Sequence, residues 1–481
     1  MTLRKDYPYI LLAVALTALA ATAVADPGES IGTYALLGLM GVAVVMAIII
    51  NPSLGAYVLI GAVFSNVSRQ LSDQGLPGVI KPLVVVVFVA ILVRNIYVGG
   101  IPLNRPRTSR IEFFLIAYLF VVAASFLVAS DRDLALERVI DLGKDIVIIY
   151  CIVFSLRNLK DWDTAVYLIV LVTVALSLLG LFQVATGNYS QTFFGFARIG
   201  SENRLGGPIN EPNMWGQVLV GVIPFAIFGF MRETSTRKWI YAVSLVILLA
   251  ELLNTYSRGA YLALMFGLVL IAFFFTRFNP VLIFSGVAAL VLLLPILPPQ
   301  YLARLETISF LAPNTQNGVY QESSFRGRAS EMQTGLLMFA THPILGVGAA
   351  NYPVNYQKYT QLIGMEVRSE DREAHSLYVE TLAETGILGF AALLGILISI
   401  FQALARIKLD VMNSVAHQKW ISHISALQVS FMSYLFAAIF LHGAYIRFFW
   451  MFLALAMTLI TLLYEDLNDP YKTVITPRVT I

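Results

Sequence analysis

The feature that most restricts what this chain can become is a succession of apolar runs, each close to the length that crosses a bilayer. A transmembrane helix needs about 20 apolar residues. Fourteen such runs follow one another, at 8–25, 31–50, 53–66, 79–98, 111–129, 139–156, 164–185, 213–231, 238–256, 259–275, 280–297, 377–405, 421–441 and 445–464. In lipid every backbone N–H and C=O must be satisfied within the chain, so the runs are read as helices. The chain is 58% hydrophobic and only 13% charged, whereas soluble domains carry about 25% charged residues. The fold class is therefore an all-α polytopic membrane protein with about 14 transmembrane helices, and the bilayer is its first partner. A net charge of +3 is too small to point to nucleic acid, and the single cysteine, Cys151, excludes an internal disulfide framework.

Lysine and arginine in the short loops set the orientation. Arg4 and Lys5 put the N-terminus inside, and the first run is read as an uncleaved span although it imitates a signal peptide. Alternation then places Arg94, Arg105, Arg107 and Arg110 inside, followed by Arg157 and Lys160. The same holds for Arg232, Arg237 and Lys238, for Arg277, for Arg406, Lys408 and Lys419, and for the tail with Lys472 and Arg478. The short run at 53–66 must cross for this pattern to hold. The chain divides into spans over 1–297, a large outer loop over 298–376 with helices at about 328–341 and 351–363, and spans with a tail over 377–481. The 186–212 loop also falls outside.

Outside loops normally carry little positive charge. These two hold Arg198, Arg204, Arg304, Arg326, Arg328, Lys358, Arg368 and Arg372, and a bound anion accounts for the excess. Arg258, in TYSRGAYLAL, joins two spans with almost no loop and so stands at the outer interface, at a helix N-terminus. A cation there is unfavourable against the helix dipole unless an anion joins it; a snorkelling interface arginine is the other reading. Arg326 and Arg328 precede a helix in SSFRGRASEM and suit bidentate phosphate binding, or else a solvated loop. His375 falls at the first turn of the span from 377. The dipole there favours a neutral imidazole able to accept a proton, and a helix-capping histidine is the alternative. Glu380 and Glu384 follow on that helix as intramembrane carboxylates, either functional or bonding a neighbouring helix. Asn213, in GPINEPNMWGQ, binds a sugar or phosphate or caps its helix. Asp131 and Asp133 form a D-x-D too weak to call for a metal. There is no P-loop, no H-E-x-x-H and no G-x-S-x-G elbow, and the reading calls for no cofactor.

Four stretches together carry a resemblance: GPINEPNMWGQ, TYSRGAYLAL, FRGRASEMQTGLLMFATHPILGVGAANY and HSLYVETLAETGILG. Over roughly residues 200–400 the chain resembles the O-antigen ligase and polymerase superfamily of bacterial membrane glycosyltransferases. Arg328 stands fourteen residues before the His-Pro pair, as the family pattern has it, while Met332 replaces a common tryptophan and Ser376 a common asparagine. The resemblance implies a glycosyltransferase C-like fold in the bacterial inner membrane. It implies transfer, with inversion, of a glycan from a polyprenyl (undecaprenyl) diphosphate donor to an acceptor hydroxyl at the periplasmic face. The ligase type, with lipid A-core as acceptor, is favoured; a polymerase acting on another lipid-linked glycan and a protein O-oligosaccharyltransferase are its relatives, and a transporter is a more distant alternative. By position, Arg258 and Arg328 neutralise the diphosphate and His375 assists the acceptor hydroxyl, with Arg326, Asn213, Arg198, Arg204 and Glu380 binding substrate. Tyr301, Tyr320, Tyr352, Tyr356 and Tyr359 stack on sugar faces or form an interfacial aromatic belt.

Overall fold

The computed structural model describes residues 31–98, 108–200, 203–276, 323–363, 372–441 and 447–468; at 31–40, 97–98, 274–276 and 323–326 only the backbone is described. The runs read at 8–25 and 280–297 lie outside these residues, as do Tyr301 and Tyr320. At each of the other twelve runs the structure has a helix. In chain order the helices are α1 Ile31–Ile50, α2 Pro52–Phe64, α3 Val67–Asp73, α4 Ile80–Val98, α5 Ser109–Ser125, α6 Arg132–Ser155 and α7 Leu159–Thr186. They continue as α8 Pro212–Arg232, α9 Arg237–Asn254, α10 Arg258–Thr276, α11 Ser323–Thr341, α12 Tyr352–Ile363, α13 Leu377–Met412, α14 Ile421–Ala437 and α15 Arg447–Leu467. Among the described residues, α7, α8, α13 and α15 are each long and apolar enough to cross a membrane. The protein is an all-α, multi-pass membrane protein.

Helices that are apolar all round belong in the middle of a bundle. α15 and α8 show this: Phe449, Phe452, Leu453, Ala456, Leu459 and Ile460 of α15 are fully buried, as are Leu219, Val222 and Ile223 of α8. Lipid tails are as apolar as leucine, so such helices associate through close packing at small residues. A side chain at Gly216 would meet Ala260 at 2.8 Å, and one at Gly221 would meet Phe452 at 2.6 Å. α8 thus lies tight against α10 on one side and α15 on another.

The bundle has two charged ends. At one, Asp163 of α7 pairs with Arg232 of α8 at 2.7 Å and Arg237 of α9 at 3.2 Å, and His423 of α14 stands 3.3 Å from it. At the other lie the N-termini of α8, α10 and α13, with the C-terminus of α14 between them: Leu377 N–H donates to the carbonyls of Ala438 and Leu441. The short α2 connects the ends. Ser53 at its start bonds Asp161 Oδ2 at 2.8 Å, whereas Asn66 and Gln70 just beyond it bond the Pro208 carbonyl next to α8. Thirteen residues of helix span only about 20 Å.

A hairpin of two short strands, β1 Arg198–Ile199 and β2 Leu205–Gly207, pairs antiparallel ahead of α8.

Candidate active site

The site grows from the way α9 turns into α10. Tyr256 takes the left-handed conformation at φ 49°, and the Ser257 hydroxyl accepts the Ala260 N–H at 3.3 Å. That cap starts α10 at Arg258, so its guanidinium begins from the positive end of the helix. The Thr255 carbonyl accepts Arg204 Nε at 2.8 Å, and Arg204 Nη2 donates to Asn213 Oδ1 at 2.9 Å. Asn213 in turn donates its amide to Glu211 Oε1 at 2.9 Å, while Glu211 Oε2 accepts the backbone N–H of Asn213 and Met214 and so caps α8. Arg204 and Asn213 therefore hold two helix starts together. The helix cap that one reading assigned to Asn213 belongs to Glu211.

Arg328 of α11 faces this pair of helix starts. Burial holds its guanidinium below the ordinary arginine range, and Arg258 beside it lowers it further. Glu331 and Glu211 act in the opposite sense, and Arg204 again lowers it. Arg328 thus feels two other guanidiniums and two carboxylates. An anion placed among the arginines relieves their repulsion, and each can bind it through two N–H groups. Arg326 lies in the first turn of α11, where only the backbone is described.

His375 stands two residues ahead of α13, outside its first turn, where the sequence had placed it. Ser376 is the N-cap, and His375 itself is held at φ 45°. Its Nε2 lies 3.7 Å from Oε2 of Glu331, and Arg372 Nε lies 4.0 Å from Oε1 of the same carboxylate. Glu331 is 1% exposed, and its backbone carbonyl accepts the Tyr352 hydroxyl. The electrostatic partner of the imidazole is thus a buried carboxylate as well as a helix dipole. Sequence reasoning missed Glu331. The signal was present in Arg328-x-x-Glu331, an i,i+3 pair on one helix face.

The helix beyond His375 is broken. Gly386 sits at φ 63°, ψ −163°, a conformation open essentially to glycine. The turn after α11 fills the gap in the hydrogen bonding: Val347 and Gly348 donate to the Ala383 and Glu384 carbonyls, and Ile387 donates to the Pro343 carbonyl. The Glu384 carboxylate accepts Ala350 N–H at 2.8 Å and Tyr352 N–H at 3.1 Å, which caps α12. THPILGVGAANY and ETGILG, far apart in sequence, are one interlocked joint. Glu380, 5% exposed on the first half of α13, acts electrostatically on Tyr352.

Several expectations change. Tyr352, Tyr356 and Tyr359 are buried and form a core with Met338, Val347 and Val379, so they present no face to a sugar or to lipid headgroups. Arg198 is held away from the other arginines by Asp73 at 2.6 Å, Gln70 at 2.5 Å and the Gly195 carbonyl. Asp131 is the N-cap of α6, accepting from Asp133 and Leu134 N–H. No group of three His, Cys, Asp or Glu side chains able to hold a metal occurs among the described residues.

Residues 243–394 match the family model described as O-antigen ligase. Over those residues, about a third of its length, the chain is similar to the O-antigen ligase superfamily. Within the O-antigen ligase region fall Arg258, Arg328, Glu331, His375 and both halves of the joint at Gly386. Arg204, Glu211 and Asn213 precede it, yet the structure brings them to the same helix starts. No curated protein matches the chain.

Proposed function

We propose that the protein moves a glycan from a polyprenyl diphosphate to an acceptor hydroxyl, as an O-antigen ligase with lipid A-core as acceptor. One observation carries this reading: Arg258, Arg328 and Arg204 gather where two capped helices start, and Glu331 links Arg328 to His375. The acceptor oxygen attacks the anomeric carbon from the face opposite the diphosphate. The bond from that carbon to the diphosphate oxygen breaks, its electron pair leaves with the diphosphate, and the sugar configuration inverts. The arginines receive the charge that develops there; each well-placed donor of this kind is worth about 3 kcal/mol. The acceptor proton passes to His375, an assistance worth roughly 10²–10⁴-fold. Glu331 orients the ring and stabilises the imidazolium that forms.

The opposite end of the bundle carries Arg157, Lys160, Arg232, Arg237, Lys238 and Lys419, which by the positive-inside rule is cytoplasmic. Transfer then occurs at the outer face of the inner membrane. A transporter would keep its charged groups near mid-membrane, whereas these cluster at one end. Incubating purified protein with a polyprenyl-diphosphate glycan and lipid A-core tests the reading. The product is expected with wild type and absent with His375→Ala. A wild-type rate from His375→Ala removes the imidazole from the mechanism.

A further inference from the structure

A cavity of about 370 Å³ opens at the same end of the bundle, between α3 and the 189–199 loop. It is lined by Tyr189, Phe194, Gln74, Asp73, Arg198 and Asn210, among others. Its place in the fold ties it to the arginines. Asn210 directly precedes the Glu211 cap of α8. The Tyr189 phenol stands within electrostatic reach of Tyr256, in the turn before Arg258. Ile199, also in the lining, is followed by Gly200, against which Pro212 of α8 packs.

The chemistry of the lining narrows what can bind. Among the described lining residues the one cation, Arg198, is neutralised by Asp73 at 2.6 Å, so a phosphate gains little there. The other polar side chains are the amides of Gln70, Gln74 and Asn210, the Asp73 carboxylate and the hydroxyls of Thr192 and Tyr189, too many for an acyl tail. Two aromatic rings remain accessible: Phe194 is 51% exposed and Tyr189 37% exposed. Phe193, Phe194 and Gly195 occupy three successive left-handed positions, at φ 49°, 58° and 90°. Phe193 packs edge-on against Phe182 at 5.8 Å, and Gln74 donates to the Phe194 carbonyl at 3.1 Å. The strained turn therefore holds one phenylalanine in the fold and turns the next outward, an arrangement that persists only when the surroundings enforce it. A ligand with flat C–H faces and many neutral hydroxyls matches rings set beside planar amide and carboxylate groups.

We propose that this cavity is a saccharide subsite, holding sugar units next to the arginine cluster. The inference rests on the transfer reading for its ligand, and it assigns the sugar contacts that Tyr352, Tyr356 and Tyr359 do not make. The sugars come from the donor glycan or from the acceptor core, and binding measured without transfer separates the two. Full-length protein in detergent is titrated by saturation-transfer NMR with two lipid-free probes, both released by mild acid: the glycan of the polyprenyl donor and the core oligosaccharide. One of them is expected to receive saturation from wild type. The double variant Tyr189→Ala, Phe194→Ala should weaken it about tenfold or more, and Gln74→Ala should weaken it less. Arg258→Ala should bind that same probe within about twofold of wild type, because the contacts lie outside the arginine cluster. Both rings are exposed enough that their loss leaves the fold intact, which the thermal transition of the variant checks. If the folded double variant binds like wild type, or neither probe binds wild type, the subsite is overturned. Loss of binding in Arg258→Ala to the same degree as in the double variant also overturns it. Saccharide binding without product formation would instead fault the transfer reading and leave the subsite standing.

Discussion

Glu331 Oε2 lies 3.7 Å from Nε2 of His375, and the same carboxylate acts on Arg328 one helical turn before it. A single buried acid thereby sits between the group assigned to the proton and a group assigned to the leaving diphosphate. Glu331→Gln keeps the volume and removes the charge. Transfer should fall about 10²-fold in kcat, since a general base needs its ring oriented and its developing charge met. The donor KM should change little. A variant that raises KM and spares kcat would make Glu331 a binding group instead.

Arg258 and Arg328 are expected to resist conservative replacement. Arg258→Lys keeps the charge but loses the planar two-pronged donor, leaving a compact point charge on a flexible stem. Steady-state assays should show losses of about 10²–10³-fold in kcat for either Arg258→Lys or Arg328→Lys. Retention of wild-type rates would reduce each site to a point charge. Arg198→Lys, in the separate cluster with Asp73 and Gln70, should leave kcat near wild type.

The helices at the twelve described runs were legible because lipid leaves an apolar run one conformation. The candidate site was legible only in part. Arg258 showed itself by joining two spans with no loop, and His375 by preceding a third. Glu331 did not, because a single acid in a polar segment has many readings until tertiary contacts choose one. The tyrosines of α12 misled for a related reason: an amphipathic helix in an outer loop looks the same whether its aromatic face meets sugar or core. The break at Gly386 was hidden inside an unbroken hydrophobic pattern, since hydropathy does not record backbone conformation.

That break yields a stability test. A Cβ at Gly386 would collide with the Ile344 carbonyl, and the residue would also be forced into a region closed to side chains. Gly386→Ala should cost about 3 kcal/mol or more, combining strain with the loss of the Val347, Gly348 and Ile387 hydrogen bonds. A detergent thermal-shift assay should show the transition lowered by several degrees. Gly143→Ala, in α6 with nothing within 4 Å of the added carbon, should be neutral or mildly stabilising. Equal behaviour of the two variants would mean that the joint bears no load.

Asp131 and Asp133 separate a structural carboxylate from a metal ligand. Asp131 Oδ1 accepts the N–H groups of Asp133 and Leu134 at 3.0 and 3.1 Å, and its own N–H donates to Asn351 Oδ1 at 2.6 Å. An amide caps a helix nearly as well as a carboxylate, whereas it is a poor ligand for Mg²⁺. Asp131→Asn should therefore leave transfer unchanged, and Asp131→Ala should lower stability by about 1 kcal/mol. With arginines receiving the diphosphate charge, EDTA should not slow the reaction. Activity that falls with chelation, returns with Mg²⁺ and is lost in Asp131→Asn would instead make the pair a metal site and divide the leaving-group charge between cation and guanidinium.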